Sequence, residues 1–135
     1  MAEAAVGGIT GQITWLYTED TAASWRFYAE VLGLETVVDQ TTCRVFAVGG
    51  GAHIGVCAVR EGRAVAPLGC IVSLVTDDVE GAHDRLVARG ADVDGPPVRN
   101  ATFGITHFMV RDPSGYRIEI ERFEAPVATD RAPGG

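Results

Sequence analysis

ITWLYTED at residues 13–20 is followed 58 positions later by IVSLVTDD at residues 71–78. Each stretch is a β-rich run that ends in an acidic pair, and each precedes a helical pattern that stops at a glycine. The closing acids, Asp20 and Asp78, stand where the N-cap of such a helix belongs. Matches at several positions with one fixed offset indicate an internal repeat.

Strand-like runs follow each helical pattern. The runs are LETVVDQ (34–40), CRVFAV (43–48), AHIGVCAV (52–59), the broken ADVDGPPV (91–98), ITHFMVRD (105–112) and YRIEIERF (116–123). Gly49-Gly50-Gly51 joins the last two strands of the first half, and Asp112-Pro113-Ser114-Gly115 forms a type I turn between those of the second. The pattern predicts an α+β fold: two tandem βαβββ modules that form an eight-stranded curved sheet, a cup with the helices outside.

One domain accounts for this pattern, and the chain is long enough to bury a substantial core. The expected divisions are a flexible start (1–8), a single domain (9–123) made of module 1 (9–60), a linker (61–69) and module 2 (70–123), and a flexible tail (124–135).

Composition excludes several functions. All 11 basic residues are arginine, so Schiff-base chemistry and a P-loop lysine are excluded. A net charge of −7 argues against nucleic acid, and no apolar run has the length of a membrane span. Three cysteines, Cys43, Cys57 and Cys70, lack a C-x-x-C spacing and are interpreted as buried reduced thiols, which predicts a cytoplasmic protein.

The stretch DPSGYRIE (112–119) and the opening ITWLYTEDTAASWRFYAEVLGLE (13–35) resemble the vicinal oxygen chelate superfamily. That superfamily includes glyoxalase I, extradiol dioxygenases, fosfomycin-resistance enzymes and bleomycin-resistance binding proteins, and the resemblance covers about residues 9–123. It implies the cup fold and a homodimer, in which some members build their cups from halves of different chains. It does not identify a reaction, because this fold hosts unrelated chemistries.

The resemblance also implies a divalent metal held by four inward-facing His or Glu side chains. Carried onto this sequence, those positions fall on Ile13, Gly55, Ile71 and Glu119. Only Glu119 offers a ligand atom, whereas a catalytic metal needs about three protein ligands. The expectation is therefore that the chain has no metal cofactor.

A displaced metal site is the alternative. His53 shares the face of Gly55 by strand alternation, and His107 lies on the strand that pairs with that of Glu119. These three side chains would form a minimal facial triad if His107 faced inward, which the sequence leaves undecided.

Strand alternation also selects the expected ligand-binding residues. If Ile118 and Ile120 face the helices, the intervening side chains face the cup. The candidates are Trp15, Tyr17, His53, Cys57, Ser73, Phe108, Arg117, Glu119 and Glu121. Trp15 and Tyr17 are interpreted equally well as stacking walls or as core packing. Glu119, with His107, is the candidate catalytic acid or base, although an ion pair between Glu119 and Arg117 is slightly favoured.

These features favour a metal-independent protein that binds and sequesters a small organic ligand, as resistance proteins of this fold do. The ligand is expected to be cationic or aromatic, given the acids and aromatic side chains of the cup. The alternative is an enzyme of the same fold. It would be an isomerase, cyclase or lyase that uses Glu119 or a histidine, or a glyoxalase-like metalloenzyme that uses His53, His107 and Glu119.

Overall fold

A computed structural model describes residues 6–125. The expected flexibility of residues 1–5 and 126–135 lies outside these described residues. No helix within residues 6–125 combines the length and the apolarity that crossing a bilayer requires.

The first half has the expected βαβββ order. Its elements are a 3₁₀ turn (Val6–Gly8), β1 (Gln12–Thr18), α1 (Thr21–Arg26), a π-helical segment (Phe27–Val31), β2 (Glu35–Asp39), β3 (Cys43–Gly49) and β4 (Ala52–Ala58). The second half repeats this order, except that its second strand is interrupted at Gly95 and Pro96 and becomes two short strands. Its elements are a 3₁₀ turn (Pro67–Gly69), β5 (Ile71–Val75), α2 (Val79–Ala88), β6 (Asp92–Val93), β7 (Val98–Asn100), β8 (Ile105–Arg111) and β9 (Arg117–Phe123).

The N-termini of α1 and α2 are capped in the same way. The Asp20 carboxylate accepts a hydrogen bond from the Ala23 N–H, and the Asp78 carboxylate accepts one from the Gly81 N–H, both at 3.0 Å. The predicted N-caps are thus confirmed, and each satisfies a backbone donor that the first helical turn leaves without a partner.

The two halves also share one strand order. The first sheet runs β1-β4-β3-β2 and the second β5-β9-β8-β6, with β7 also pairing with β8. In each sheet the first strand of the half lies at an edge and pairs in parallel with the last strand. The α+β class and the two-module repeat are therefore confirmed. The predicted single eight-stranded sheet is instead two sheets, of four and five strands, because each module forms its own sheet and the second strand of the second module is divided into β6 and β7.

One face of each sheet packs against the helices. The buried core comprises Leu16, Phe27, Tyr28, Phe46, Ile54, Val56, Val79, Leu86, Phe108, Val110, Tyr116, Ile118 and Ile120, from both halves. We call the opposite face of each sheet the open face; it carries Trp15 and Tyr17 in the first sheet and Ser73, Glu119 and Glu121 in the second.

A buried polar contact joins the two halves. The Tyr28 hydroxyl donates to Asp112 Oδ2 at 2.7 Å, and burial together with that carboxylate raises the pKa of Tyr28. The same Asp112 side chain accepts hydrogen bonds from the backbone N–H groups of Ser114 and Tyr116, both at 2.9 Å. The β8–β9 turn is thereby held against the first helical region.

The expectation of three reduced thiols is wrong. Cys43 and Cys57 lie opposite each other on β3 and β4, with a Cα–Cα distance of 4.1 Å, and form a disulfide. Both stand seven residues from Gly50, the centre of the connecting turn, so hairpin symmetry was the signal that could have found this pair. Cys70 is free. The bond removes the reason for assigning the chain to the cytoplasm, and the compartment stays a prediction.

Candidate functional site

Four polar side chains converge on the open face of the second sheet. Ser73 lies opposite Glu119 across β5 and β9, and His107 lies opposite Glu121 across β8 and β9. Since residues directly opposite each other project from the same face of a sheet, these pairings place all four together. We call them the carboxylate cluster.

Glu119 is the centre of this cluster. Its Oε1 accepts a hydrogen bond from Ser73 Oγ at 2.6 Å, and its Oε2 lies 2.7 Å from His107 Nδ1. A carboxylate can only accept, so Nδ1 of His107 carries a proton and donates it in this hydrogen bond. Glu121 is 6% exposed, next to Glu119 on the same face.

The two carboxyl groups titrate differently. Burial alone raises the pKa of Glu119, but hydrogen bonds from Glu121, Ser73 and His107 outweigh it and hold that pKa below its ordinary value. Burial, a shared hydrogen bond and the charge of Glu119 raise the pKa of Glu121 to about 7. The pair therefore keeps a proton, carried by Glu121, below about pH 7 and loses it above that pH.

The turn before β9 decides where His107 points, a question the sequence left open. The Asp112 N–H donates to the Tyr116 carbonyl at 3.0 Å, so these two residues close the hairpin. This register pairs position 107 with 121 and position 108 with 120. His107 therefore lies on the open face.

The structure changes the surroundings expected for Phe108 and Arg117. The Phe108 ring is buried on the helix side, opposite Ile120 and edge-on to His83, although Phe108 also belongs to the wall of the hollow beside His107. Arg117 makes no salt bridge within residues 6–125, so the expected ion pair with Glu119 does not form there. Hydrogen bonds from Ser73 and His107 satisfy Glu119 instead.

Two separate hollows are lined by residues of the open faces, one at each sheet. A hollow of about 300 Å³ lies beside His107, with Pro96, Val98 and Met109 in its wall. A second pocket, of about 390 Å³, is lined by the aromatic pair Trp15 and Tyr17. Its wall also includes Arg63, Cys70 and Tyr116, which sequence reasoning missed because they come from the linker and the strand starts.

Trp15 and Tyr17 lie on the open face, as the alternation predicted, and Trp15 remains 44% exposed. The Trp15 indole lies on Gly55, the residue opposite it on β4, so closely that a Cβ at Gly55 would come within 2.3 Å of the ring. A glycine is thus required beneath the indole.

Residues 9–120 match the model of the Glyoxalase/Bleomycin resistance protein/Dioxygenase superfamily. The chain belongs to this superfamily. That membership confirms the resemblance to vicinal oxygen chelate proteins and the fold it implied. No curated protein matches the chain.

Solved structures share the glyoxalase fold. A glyoxalase-related enzyme from Fulvimarina pelagi is similar with a TM-score of 0.72 and 24% identity, covering 89% of this chain and 93% of that one. TioX from Micromonospora sp. ML1 is similar with a TM-score of 0.69 and 22% identity, covering 83% of this chain and 97% of that one. Lactoylglutathione lyase from Agrobacterium tumefaciens is similar with a TM-score of 0.67 and 24% identity, covering 82% of this chain and 90% of that one. At these identities the likeness shows the fold alone.

In this chain, the residues at the four positions that would hold the superfamily's metal do not form a metal site. Ile13 and Ile71 have no ligand atom, and the Trp15 ring covers Gly55, so Glu119 is left alone. A metal ion held by one protein ligand is easily lost to water.

The displaced set does not assemble either. His53 lies opposite Ile13 on the first sheet, where its Nδ1 is 3.2 Å from the Gln12 carbonyl oxygen. Within residues 6–125, no three His, Cys, Asp or Glu side chains are arranged to hold a metal ion. The predicted triad of His53, His107 and Glu119 is therefore not formed within the described chain.

Cys57 also has a different role from the predicted one. Because its sulfur is bonded to Cys43, it is not a free thiol available to a ligand.

Proposed function

We propose that this protein binds a small organic molecule on the open face of the second sheet, without a resident divalent metal. The observation that carries the proposal is Glu119, held by hydrogen bonds from Ser73 and His107, together with a hollow of about 300 Å³ that His107 lines. Polar groups held in place beside a mostly apolar wall are typical of ligand sites.

The charge of the site favours a cationic ligand. Two carboxyl groups, Glu119 and Glu121, share this face, and Arg117 forms no salt bridge with either of them. Within residues 6–125 the ionisable side chain that contacts Glu119 from another strand is His107. A protonated amine next to Glu119 would replace the proton that the pair holds. Trp15, 44% exposed, and the half-buried Tyr17 offer aromatic surface on the open face of the first sheet, so our proposal includes a ligand with a flat apolar part.

A matched pair of ligands tests this proposal. Tryptamine and indole-3-acetate share a ring system and differ in charge, so we expect tryptamine alone to raise the melting temperature of the protein. Glu119→Gln should weaken tryptamine binding about tenfold, by removing a charge-assisted hydrogen bond. Glu35→Gln, an exposed site on β2, is the matched control.

Two results would refute the proposal. One is that tryptamine and indole-3-acetate bind the wild type with equal affinity and that Glu119→Gln changes neither affinity. The other is one equivalent of Zn, Ni, Fe or Mn per chain after purification without chelator, lost on Glu119→Gln.

A second function, acid–base catalysis, is favoured by one further observation. Glu121, which lies opposite His107 in the carboxylate cluster, has a pKa of about 7. A carboxyl group that titrates near neutral pH can act as a general acid or base, which suits an isomerase, cyclase or lyase reaction. Ligands found in the binding experiment should then be converted, and Glu121→Gln should abolish conversion while binding is retained.

A further inference from the structure

Besides the two hollows on the open faces, a cleft lies on the helix side of the second sheet, away from the carboxylate cluster. It has a volume of about 210 Å³ and is open to solvent. Leu74 and Ile120 form its floor, Leu32 and Leu34 one wall and Leu86 the other. Leu32, Leu34 and Leu74 are only partly buried, although each lies against the core.

Two arginines stand at this cleft. Arg85 shares its charge with Asp78, whose carboxylate is 3.4 Å away. Arg89 donates one N–H to the Val31 carbonyl at 2.8 Å and makes no salt bridge within residues 6–125. A guanidinium has five N–H donors, so Arg89 is held in place by one and keeps the others for a ligand.

A fixed cation at the mouth of an apolar cleft complements one kind of molecule. We propose that the cleft binds an amphipathic organic anion, with its hydrocarbon chain along Leu32, Leu34 and Leu74 and its carboxylate on Arg89. This site lies on the opposite side of the sheet from Glu119, so the proposal stands apart from the function proposed above.

The size of the cleft sets the length of the chain. At ~30 Å³ for each water-sized group, 210 Å³ holds about seven such groups, which matches the hydrocarbon part of octanoate. Each buried methylene contributes enough to tighten binding about fourfold. We therefore expect the dissociation constant to fall by about that factor per carbon from butanoate to octanoate, and to level off for longer chains.

Calorimetry with octanoate, octylammonium and octan-1-ol tests the charge. Octanoate should bind more tightly than the alcohol, and octylammonium should bind most weakly because Arg89 repels it. Equal affinity for the three would show that the cleft selects only hydrocarbon, and no measurable octanoate binding would exclude the site; either result overturns the proposal.

Two pairs of variants locate the binding site. Arg89→Gln should weaken octanoate binding about tenfold, while Arg60→Gln, at an exposed arginine after β4, should leave it unchanged. Ala82 also lines the cleft, so Ala82→Leu should fill it and abolish binding, whereas Ala82→Ser should retain it.

Thermal unfolding identifies any variant that fails to fold, and the chain-length series on the wild type still decides the proposal in that case. Undiminished octanoate binding by folded Arg89→Gln and Ala82→Leu would overturn it. Glu119→Gln should bind octanoate normally, which keeps this result separate from the test of the open-face site.

Discussion

At the scale of single residues, the Trp15 indole packs on Gly55, one of the four positions at which the family resemblance implied a metal ligand. The ring covers the backbone of a neighbouring strand at a position that has no side chain. The aromatic surface is thereby fixed in orientation while 44% of Trp15 stays exposed. An anchored aromatic ring is suited to stacking on a ligand, because little rotamer freedom is lost on binding.

Gly55→Ala tests this packing. The new methyl group would overlap the indole, so we expect the variant to lose about 1–3 kcal/mol of unfolding free energy and to change its tryptophan emission. Urea denaturation followed by fluorescence measures both. Gly69→Ala is the control, because nothing lies within 4 Å of a Cβ at that position. Equal stability of the two variants would contradict the packing.

Glu121 provides a prediction about pH. In the folded chain its pKa is about 7, against an ordinary value of 4.5, so the folded state keeps a proton that the unfolded state releases. The unfolding free energy should therefore fall as pH rises through this window, by about 2 kcal/mol between about pH 5 and pH 8. The lowered pKa of Glu119 has the opposite sign and acts only below pH 4.5.

Denaturation by urea at several pH values checks this expectation. Glu121→Gln cannot titrate and should not show the fall, whereas Glu35→Gln should keep it. A wild-type stability that stays constant across this range would contradict the raised pKa.

At the scale of elements, the β3–β4 hairpin is held by more than its backbone hydrogen bonds. The Cys43–Cys57 disulfide crosses it, and the Trp25 indole N–H donates to the Val56 carbonyl at 2.9 Å. The Arg44 guanidinium lies 4.3 Å from the centre of the Trp25 ring. The hairpin is therefore fixed to α1 on one side and closed covalently on the other.

We predict one free thiol per chain, Cys70, in denatured protein purified without reductant, and three after reduction. Reduction should lower the unfolding free energy by about 3 kcal/mol, the value for a loop of this length. Thiol titration and urea denaturation measure these effects, and Cys70→Ser is the control. Three thiols before reduction would contradict the disulfide.

At the scale of the whole molecule, each sheet has two edge strands, β1 and β2 in the first sheet and β5 and β6 in the second. Among the described residues, β1 pairs on one side only, with β4, and β5 on one side only, with β9. Both carry apolar side chains that are nearly half exposed, among them Ile13 at 42% and Ile71 at 46%. Open edges with apolar side chains favour association with another chain.

We therefore predict a homodimer in which these strands are covered. Light scattering after size-exclusion chromatography should give twice the chain mass of 14.2 kDa. Ile71→Glu should shift the protein towards the monomer, whereas Val87→Glu, at a 52% exposed position on α2 and away from the sheet edges, should not. A monomeric wild type would contradict this arrangement.

Much of the fold was predictable from local signals. Local hydrogen bonds between residues a few positions apart form the caps at Asp20 and Asp78 and the turn at Asp112–Gly115, and sequence patterns show such neighbours directly. The internal repeat can likewise be found by comparing the sequence with itself. The alternation of Ile118 and Ile120 likewise placed Glu119 and Glu121 on the open face. The sequence by itself therefore determined the element order and one strand of the site.

The partners of Glu119 depended on tertiary structure. Hairpin register, set by the Asp112–Tyr116 closure, placed His107 beside Glu119, and a one-residue shift would have put Phe108 there instead. Burial raises the pKa of both Glu119 and Glu121, but hydrogen bonds from Ser73 and His107 reach only Glu119 and lower its pKa, so the two carboxyl groups titrate differently. Register and these hydrogen bonds arise from contacts between segments far apart in the chain, so only the folded molecule decides them.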